Sequence, residues 1–288
     1  MKKIGFIGLG NMGKGMSVNL AKKNHQIIGY DINNSAYDYI KNQNIVIAEN
    51  LKSLMNEAEI IITMLPDGTA VNAVWSEIIA VSKPGQYLID CSTIDVKTSR
   101  SVQMLGKDKG LFTLDAPVSG GVIGADQGTL TFMVGGNSDI YKDMKFLFEI
   151  MGKNSILCGE EGAGQSAKIC NNMLLASTMI AVGESFNLGK NLGLDLDKLF
   201  EVISTSTGSC WAVNSYCPIK GIGPNSPADR DYSGGFATAL MYKDLGLAVD
   251  AATETKTDID YGIQTFKKYK QVTKNGKGNL DFSNIINE

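Results

Sequence analysis

The sequence predicts an α/β domain with a mainly parallel sheet, followed by an all-α domain. Short apolar runs alternate with helical patterns up to about residue 160, the runs are apolar without a break, and no convincing strand follows them. Strands of this kind are buried on both faces, as in parallel sheets covered by helices. A chain of 288 residues is long enough for two domains. We predict domains at 1–162 and 163–288.

The composition is that of a globular enzyme with a small-molecule partner. The net charge is -3 and no basic cluster is longer than "KKYK", which disfavours nucleic-acid binding. Five scattered cysteines form no CxxC pair, so we expect neither disulfides nor a zinc site or other metal. A strand pattern starts at once and no apolar run reaches membrane-spanning length. We therefore expect a cytoplasmic protein that does not bind membranes.

The first domain opens with a β-α-β pattern. An apolar run at 3–9 is followed by helical spacing over 11–24 and by a second apolar run at 26–31. Strands are then predicted at 59–66, 85–93, 111–117, 128–136 and 154–159, with helices at 69–80 and about 95–109. The alternation predicts a single sheet with helical crossovers.

The second domain opens with a long helical pattern after Gly164. It exceeds twenty residues and is apolar around most of its circumference, so we predict a buried helix. Further helices are predicted at 195–206, 238–253 and 258–271. The stretch 216–235 is rich in Gly, Pro and Ser, and long irregular loops of this kind are often functional.

A glycine motif lies between the first strand and the first helix. Gly8, Gly10 and Gly13 form GxGxxG, and Asp31 comes eighteen residues after Gly13, at the end of the second strand. Such glycines let the backbone approach a pyrophosphate at a helix N-terminus, while the acid binds a ribose hydroxyl. A tight turn without a ligand is the alternative. Because strand, helix, second strand and acid are all in register, the pattern favours a Rossmann-like dinucleotide site.

Asp31 also bears on the choice of dinucleotide. Its carboxylate would repel a 2′-phosphate, and the following "INNSA" contains no arginine to bind one, so NAD is favoured over NADP. Two further strands end at Leu65-Pro66 and at Ser92-Thr93, on the sheet edge where ligands bind. An ordinary βα turn explains either local sequence equally well.

The group that accepts a proton from an alcohol substrate is predicted to be Lys168. The single histidine, His25, precedes the second strand and is far from the strand carboxyl ends, which disfavours it. Lys168 lies one turn into the apolar helix, and burial favours the neutral form of a lysine. Asn172 follows on the same helix face. A lysine whose ammonium simply reaches solvent remains the alternative.

A second motif, "DAPVSGG", offers groups for an anion. Ser119 carries a hydroxyl donor, and Gly120 and Gly121 can expose backbone N–H groups, a cradle suited to a substrate carboxylate. Lys243 lies near the start of the helix predicted at 238–253 and is a candidate for contact with cofactor or substrate.

With these motifs in place, the chain resembles the β-hydroxyacid dehydrogenases over nearly its whole length. "GFIGLGNMG", which includes Asn11 and Met12, resembles the cofactor motif of the family. "DAPVSGG", "GAGQSAKICNN" and "KDLGLA" resemble its substrate, catalytic and later cofactor motifs. "GSCWAVNSYCP", "GGFATALMYKDLGLAVDAA" and "DFSNII" resemble the hydroxyisobutyrate branch.

The resemblance implies NAD-dependent oxidation of 3-hydroxyisobutyrate to methylmalonate semialdehyde, a step of valine catabolism. It implies that Lys168 is the general acid/base, that Asn172 and Ser119 to Gly121 contact substrate, and that Thr93 and Lys243 contact cofactor. It also implies a homodimer or homotetramer built on the all-α domain.

The chain departs from the family branch at one cofactor position. The branch often has Asn four residues after the Leu-Pro pair, where this chain has Ala70, and Asn72 is the alternative contact.

Two alternatives remain open. A sibling reductase acting on tartronate semialdehyde or succinic semialdehyde would share every catalytic residue named above. A non-catalytic dinucleotide-binding module would use the same fold for interaction or sensing. The presence of Lys168 together with Asn172 disfavours the module.

Overall fold

The computed structural model describes residues 1–288 and contains two compact units, Met1–Lys168 and Ile169–Glu288. The first unit combines a mostly parallel sheet with helices, and the second is helical. The predicted fold class is therefore confirmed.

The sheet of the first unit has nine strands: β1 (Lys3–Ile7), β2 (Gln26–Tyr30), β3 (Ile45–Ile47), β4 (Ile60–Thr63), β5 (Tyr87–Asp90), β6 (Phe112–Asp115), β7 (Val118–Ser119), β8 (Leu130–Gly136) and β9 (Gly152–Gly159). The strands β3-β2-β1-β4-β5-β6 are parallel in that order. Strand β8 pairs antiparallel with β6 and β7, and parallel with β9. The chain leaves β1 first toward β2 and later toward β4, so the strand order reverses there, which is where such sheets bind ligands.

Seven helices lie wholly within this unit: α1 (Gly13–Lys22), α2 (Tyr37–Ile40), α3 (Leu51–Glu57), α4 (Gly68–Val81), α5 (Val96–Asp108), α6 (Gly121–Gln127) and α7 (Ser138–Met151). They create a hydrophobic core on each face of the sheet. In β4, for example, Ile60 and Ile62 belong to one core and Ile61 to the other. This burial on both faces explains why the central strands are apolar without a break.

Several boundaries differ from the predicted ones. Strands β4 and β5 end before Leu65-Pro66 and Ser92-Thr93, because the chain leaves the sheet at those turns. In the first unit the sequence interpretation missed β3 and β7, together with α2, α3, α6 and α7. Strand β3 has only three residues and lies at the sheet edge with Val46 and Ile47 exposed, so it gives no pattern of burial.

Helix α8 (Ala163–Asn191) starts in the first unit and continues into the second. The other elements of the second unit are α9 (Leu196–Thr205), α10 (Trp211–Asn214), α11 (Thr238–Thr255), α12 (Asp260–Val272), a π-helical turn (Thr273–Lys277) and 3₁₀ turns at Pro227–Arg230 and Phe282–Asn287. Met179, Phe186, Met241, Tyr269 and Phe282 are central to its core. The single strand-like contact is an isolated bridge between Ala237 and Asp281.

The prediction that α8 is a buried helix is wrong for one of its sides. Ala176, Met179 and Phe186 face the core, whereas Leu174 and Leu188 are 68% and 61% exposed. The core of the second unit covers only one side of α8, so the apolar residues on its other side remain accessible. No helix of the chain combines the length and apolar character needed to cross a bilayer.

Candidate active site

The glycine turn, Gly8 to Gly13, follows β1. Its three motif glycines differ in the space that surrounds each of them. A Cβ at Gly8 would overlap the carbonyl oxygen of Met64, and one at Gly13 would overlap that of Gly8. Gly8 also has a φ of +93°. A Cβ at Gly10 would meet no heavy atom within 4 Å. Gly8 and Gly13 are therefore needed by the fold itself, while the space beside Gly10 is open to a ligand such as a pyrophosphate.

Asp31 lies beside this turn. It follows β2 directly rather than ending it, since the strand stops at Tyr30. Its Oδ2 accepts a hydrogen bond from the Leu9 N–H at 2.7 Å, and its Oδ1 accepts one from the Asn33 N–H at 2.8 Å. The carboxylate is thus fixed next to the glycine turn, where it can bind ribose hydroxyls. These residues fit a dinucleotide.

Asp90 connects the loops that follow β4 and β5. Its Oδ1 accepts hydrogen bonds from the hydroxyls of Thr63 at 2.8 Å and Ser92 at 2.6 Å. The Ser92 Oγ in turn accepts the Leu65 N–H at 2.8 Å. Complete burial raises the pKa of Asp90 to about 6. The Asp90 carboxylate therefore holds together the two loops that carry Leu65 and Thr93. Both residues are among the predicted cofactor contacts.

Ser119, Gly120 and Gly121 lie at the end of β7 and the start of α6. Ser119 is half-buried, and the two glycines are exposed with φ values of +131° and +61°. A Cβ at Gly121 would meet no heavy atom within 4 Å. The backbone here is therefore accessible to a ligand, as a carboxylate cradle requires.

The first turn of α8 is fixed to the end of β6 by Asp115. The Asp115 carboxylate accepts the N–H of Gly162 at 2.7 Å and that of Gln165 at 2.9 Å. A Cβ at Gly164 would lie 2.7 Å from the same carboxylate and would overlap the Met133 carbonyl oxygen. Burial raises the pKa of Asp115. Lys168 follows one turn later and is only 7% exposed.

Asn172 lies on α8 in the second unit, where it contacts α11. Its Nδ2 donates to the Asp244 Oδ2 at 2.6 Å, and its Oδ1 accepts the Nδ2 of Asn171 at 3.0 Å. Because a carboxylate only accepts hydrogen bonds, Asp244 fixes the orientation of the Asn172 amide. Lys243 Nζ lies 3.3 Å from the other Asp244 oxygen. Within this unit the structure therefore joins Asn172 to the Lys243-Asp244 pair.

His25 is placed away from these groups. It directly precedes β2, at the amino end of the strand, and its Nδ1 accepts the Lys2 N–H at 3.3 Å. Burial lowers its pKa. The Ala70 N–H donates to the N-cap side chain of Asp67 at 2.9 Å, and Asn72 is exposed on α4.

Sequence reasoning did not identify Asp90, Asp115 or Gln165 as parts of the site. All three are buried polar residues. A signal was available for the first two, because each is a carboxylate at the carboxyl end of a buried strand, in "YLID" and "FTLD". Gln165 gave no signal apart from its position in the "GAGQSAK" motif.

Two family models match the chain. The NAD binding domain of 6-phosphogluconate dehydrogenase matches residues 3–159, and the NAD-binding domain of NADP-dependent 3-hydroxyisobutyrate dehydrogenase matches residues 162–288.

Individual relatives match over almost the whole chain. Mitochondrial 3-hydroxyisobutyrate dehydrogenase of Drosophila melanogaster is 44% identical, with 98% of this chain and 87% of the relative covered. An NAD-dependent L-serine dehydrogenase of Pseudomonas aeruginosa is 41% identical, with 98% and 96% covered. A structure of Mycobacterium tuberculosis 3-hydroxyisobutyrate dehydrogenase with L-serine is 42% identical, with a TM-score of 0.96 and 100% and 98% covered.

The fold and the family models define the protein as an NAD-dependent oxidoreductase that acts on β-hydroxyacids. The chain belongs to the 3-hydroxyisobutyrate dehydrogenases of the β-hydroxyacid dehydrogenase family.

Proposed function

We propose that the protein oxidises 3-hydroxyisobutyrate to methylmalonate semialdehyde with NAD, as in valine catabolism, and that Lys168 is the general acid/base. The observation that carries this proposal is the burial of Lys168 on a helix turn anchored to the end of the same sheet as the glycine turn. The names of the relatives support the choice of substrate.

The cofactor site in this proposal is built from the glycine turn, Gly8 to Gly13 with Asn11 and Met12, which holds the pyrophosphate. Asp31 binds the ribose hydroxyls and repels a 2′-phosphate, which accounts for NAD rather than NADP. The remaining cofactor contacts are Leu65, Pro66, Thr93 and Lys243. NAD, when bound, accepts a hydride from the alcohol carbon.

The substrate site in this proposal has three parts. Backbone N–H groups of Gly120 and Gly121, with the Ser119 hydroxyl, bind the carboxylate. Lys168 takes the hydroxyl proton as the hydride leaves, and Asn172, oriented by Asp244, holds a substrate oxygen.

The wider organisation remains part of the proposal. Residues 1–162 form the NAD-binding domain, and residues 163–288 form the substrate and oligomerisation domain of a homodimer or homotetramer. The cytoplasmic location stays a prediction from the sequence.

L-Serine is a second candidate substrate. A relative that is 41% identical is named as an L-serine dehydrogenase, and the Mycobacterium tuberculosis structure was determined with L-serine. Both molecules carry a primary alcohol on the carbon next to the α-carbon of a carboxylate, and they differ in the α-substituent, methyl or ammonium. The chemistry assigned to Lys168 serves both.

The test is NAD reduction with 3-hydroxyisobutyrate, L-serine, glycerate and 4-hydroxybutyrate, with NADP compared on the best substrate. We expect the highest kcat/KM with 3-hydroxyisobutyrate and NAD. Lys168→Ala should lower kcat by about 10² to 10⁴ while NADH binding is retained. Turnover of Lys168→Ala within about tenfold of wild type would contradict the assigned role. Binding of NADH without turnover of any β-hydroxyacid would favour a non-catalytic module.

A further inference from the structure

A hydrogen-bonded clamp joins the helix of Lys168 to the loop of Thr93. Gln165 is fully buried and lies three residues before Lys168 on α8. Its Nε2 donates to the carbonyl oxygen of Ser92 at 2.8 Å, and its Oε1 accepts the Ile94 N–H at 3.1 Å. One carboxamide therefore holds the backbone on both sides of Thr93.

The position of Gln165 itself is fixed by a separate contact. Its backbone N–H donates to Asp115 Oδ2, and Asp115 Oδ1 accepts the Gly162 N–H and the Gln103 Nε2. These bonds involve no atom of the Gln165 side chain. Changing the side chain should therefore leave the start of α8 in place and release only the loop at 92–94.

The clamp also reaches the loop that follows β4. Ser92, whose carbonyl accepts from Gln165, uses its hydroxyl to donate to Asp90 and to accept the Leu65 N–H. A displacement of Ser92 would thus affect both loops that carry proposed cofactor contacts.

We propose that Gln165 is a positioning residue that holds Lys168 in register with the cofactor loop of Thr93. The hydride leaves the hydroxyl-bearing carbon, and the proton leaves the oxygen bonded to that carbon. The cofactor and the proton acceptor must therefore be held at a fixed separation for both transfers to occur. The inference rests on the proposed roles of Thr93 and Lys168. Gln165 touches neither substrate nor cofactor in this role.

Gln86 is a matched control for Gln165, because its side chain has a purely structural role. Gln86 is also buried, and its Nε2 donates to the carbonyl oxygens of Met55 and Ala58, both at 2.8 Å. Its Oε1 accepts the Lys83 N–H at 2.7 Å. Gln86 precedes β5 and therefore lies at the amino end of the strand, whereas Ser92 follows the carboxyl end. Loss of either carboxamide leaves buried backbone groups without partners.

The experiment compares Gln165→Met with Gln86→Met in the full-length protein. Both variants should lower the melting temperature to a similar extent. Gln165→Met should lower kcat by about 30-fold or more, raise the isotope effect with substrate deuterated at the alcohol carbon, and change the NADH dissociation constant by less than about threefold. Gln86→Met should keep kcat within about twofold. Equal losses of kcat in both variants, or a wild-type kcat in Gln165→Met, overturn the inference.

A second measurement does not depend on turnover. Hydrogen exchange at the Ile94 amide should accelerate in Gln165→Met and stay unchanged in Gln86→Met. Unchanged protection of Ile94 in Gln165→Met overturns the clamp. Failure of the proposed function would show differently, as an inactive wild type or as turnover retained in Lys168→Ala.

Discussion

Among the three glycines of the turn, Gly10 is the one that packing within the protein does not require to be glycine. Gly10→Ala should therefore fold normally, because its Cβ would meet no protein atom within 4 Å. The methyl group would occupy the space proposed for the pyrophosphate, so the NADH dissociation constant should rise about tenfold or more. Fluorescence titration with NADH measures this. Gly208→Ala, whose nearest contact is 3.5 Å away, is the control and should bind NADH as wild type does.

Gly121 allows a similar test of the carboxylate cradle. Gly121 and Gly276 both have positive φ, +61° and +81°, and both have open space where a Cβ would lie. Alanine at either position should cost about 1 kcal/mol of stability through backbone strain. Only Gly121→Ala should raise KM for 3-hydroxyisobutyrate, by about tenfold or more. Equal KM values for the two variants in steady-state assays would remove the cradle from these residues.

Asp90 should make stability depend on pH. Its pKa in the folded protein is about 6, above the ordinary 3.8, so its stabilising contribution is complete below about pH 3.8 and is lost as pH rises through 6. Between pH 4 and pH 7 the free energy of unfolding of wild type should fall relative to Asp90→Asn, by about 3 kcal/mol at most. Urea unfolding of both proteins at several pH values measures the difference. A difference that is constant with pH would show that Asp90 keeps the same pKa on unfolding.

The first turn of helix α8 contains a glycine at a position where no side chain fits. A Cβ at Gly164 would overlap the Met133 carbonyl oxygen, whereas one at Gly246, inside α11, would make an ordinary 3.6 Å contact with Phe266. Gly164→Ala should therefore destabilise the protein by about 3 kcal/mol. Gly246→Ala should stabilise it by up to about 1 kcal/mol through helix propensity. Thermal unfolding compares the two, and a neutral Gly164→Ala would mean that the first turn of α8 can move away from Asp115.

For the whole molecule, the exposed side of α8 is the strongest indication of self-association. Leu174, Ala181 and Leu188 are exposed at heptad spacing, so they lie on one side of the helix. Apolar surface that one side of a long helix leaves exposed can serve as a protein–protein interface. We expect wild type to sediment as a dimer or a larger oligomer.

Charge on this stripe should break the assembly. Leu188→Glu should shift the protein toward monomer in analytical ultracentrifugation, because a carboxylate would be buried without a partner. Met104→Glu, on α5 in the first unit, is the matched control, since Met104 and Leu188 are both 61% exposed. A monomeric wild type, or an unchanged oligomer in Leu188→Glu, would contradict the proposed oligomerisation domain.

Several parts of the protein can be predicted from local pattern along the chain. The parallel strands are predictable from unbroken apolar runs, because helices cover both faces of the sheet and both sets of side chains are buried. The dinucleotide turn is predictable from Gly8, Gly13 and Asp31. Residue type and spacing alone indicate the close backbone packing and the position of the carboxylate. Local pattern also placed Lys168 and Asn172 one turn apart on a helix.

The polar side chains that hold these parts together are recognisable only in the folded chain. Gln165 contacts the carbonyl of Ser92, 73 residues earlier in the chain, and its backbone contacts Asp115, 50 residues earlier. Such contacts depend on which strands become neighbours, and no local periodicity encodes that. The exposed side of α8 was also not predictable from local pattern. An apolar helix sequence predicts burial, but it does not show whether the rest of the chain can cover every side of the helix.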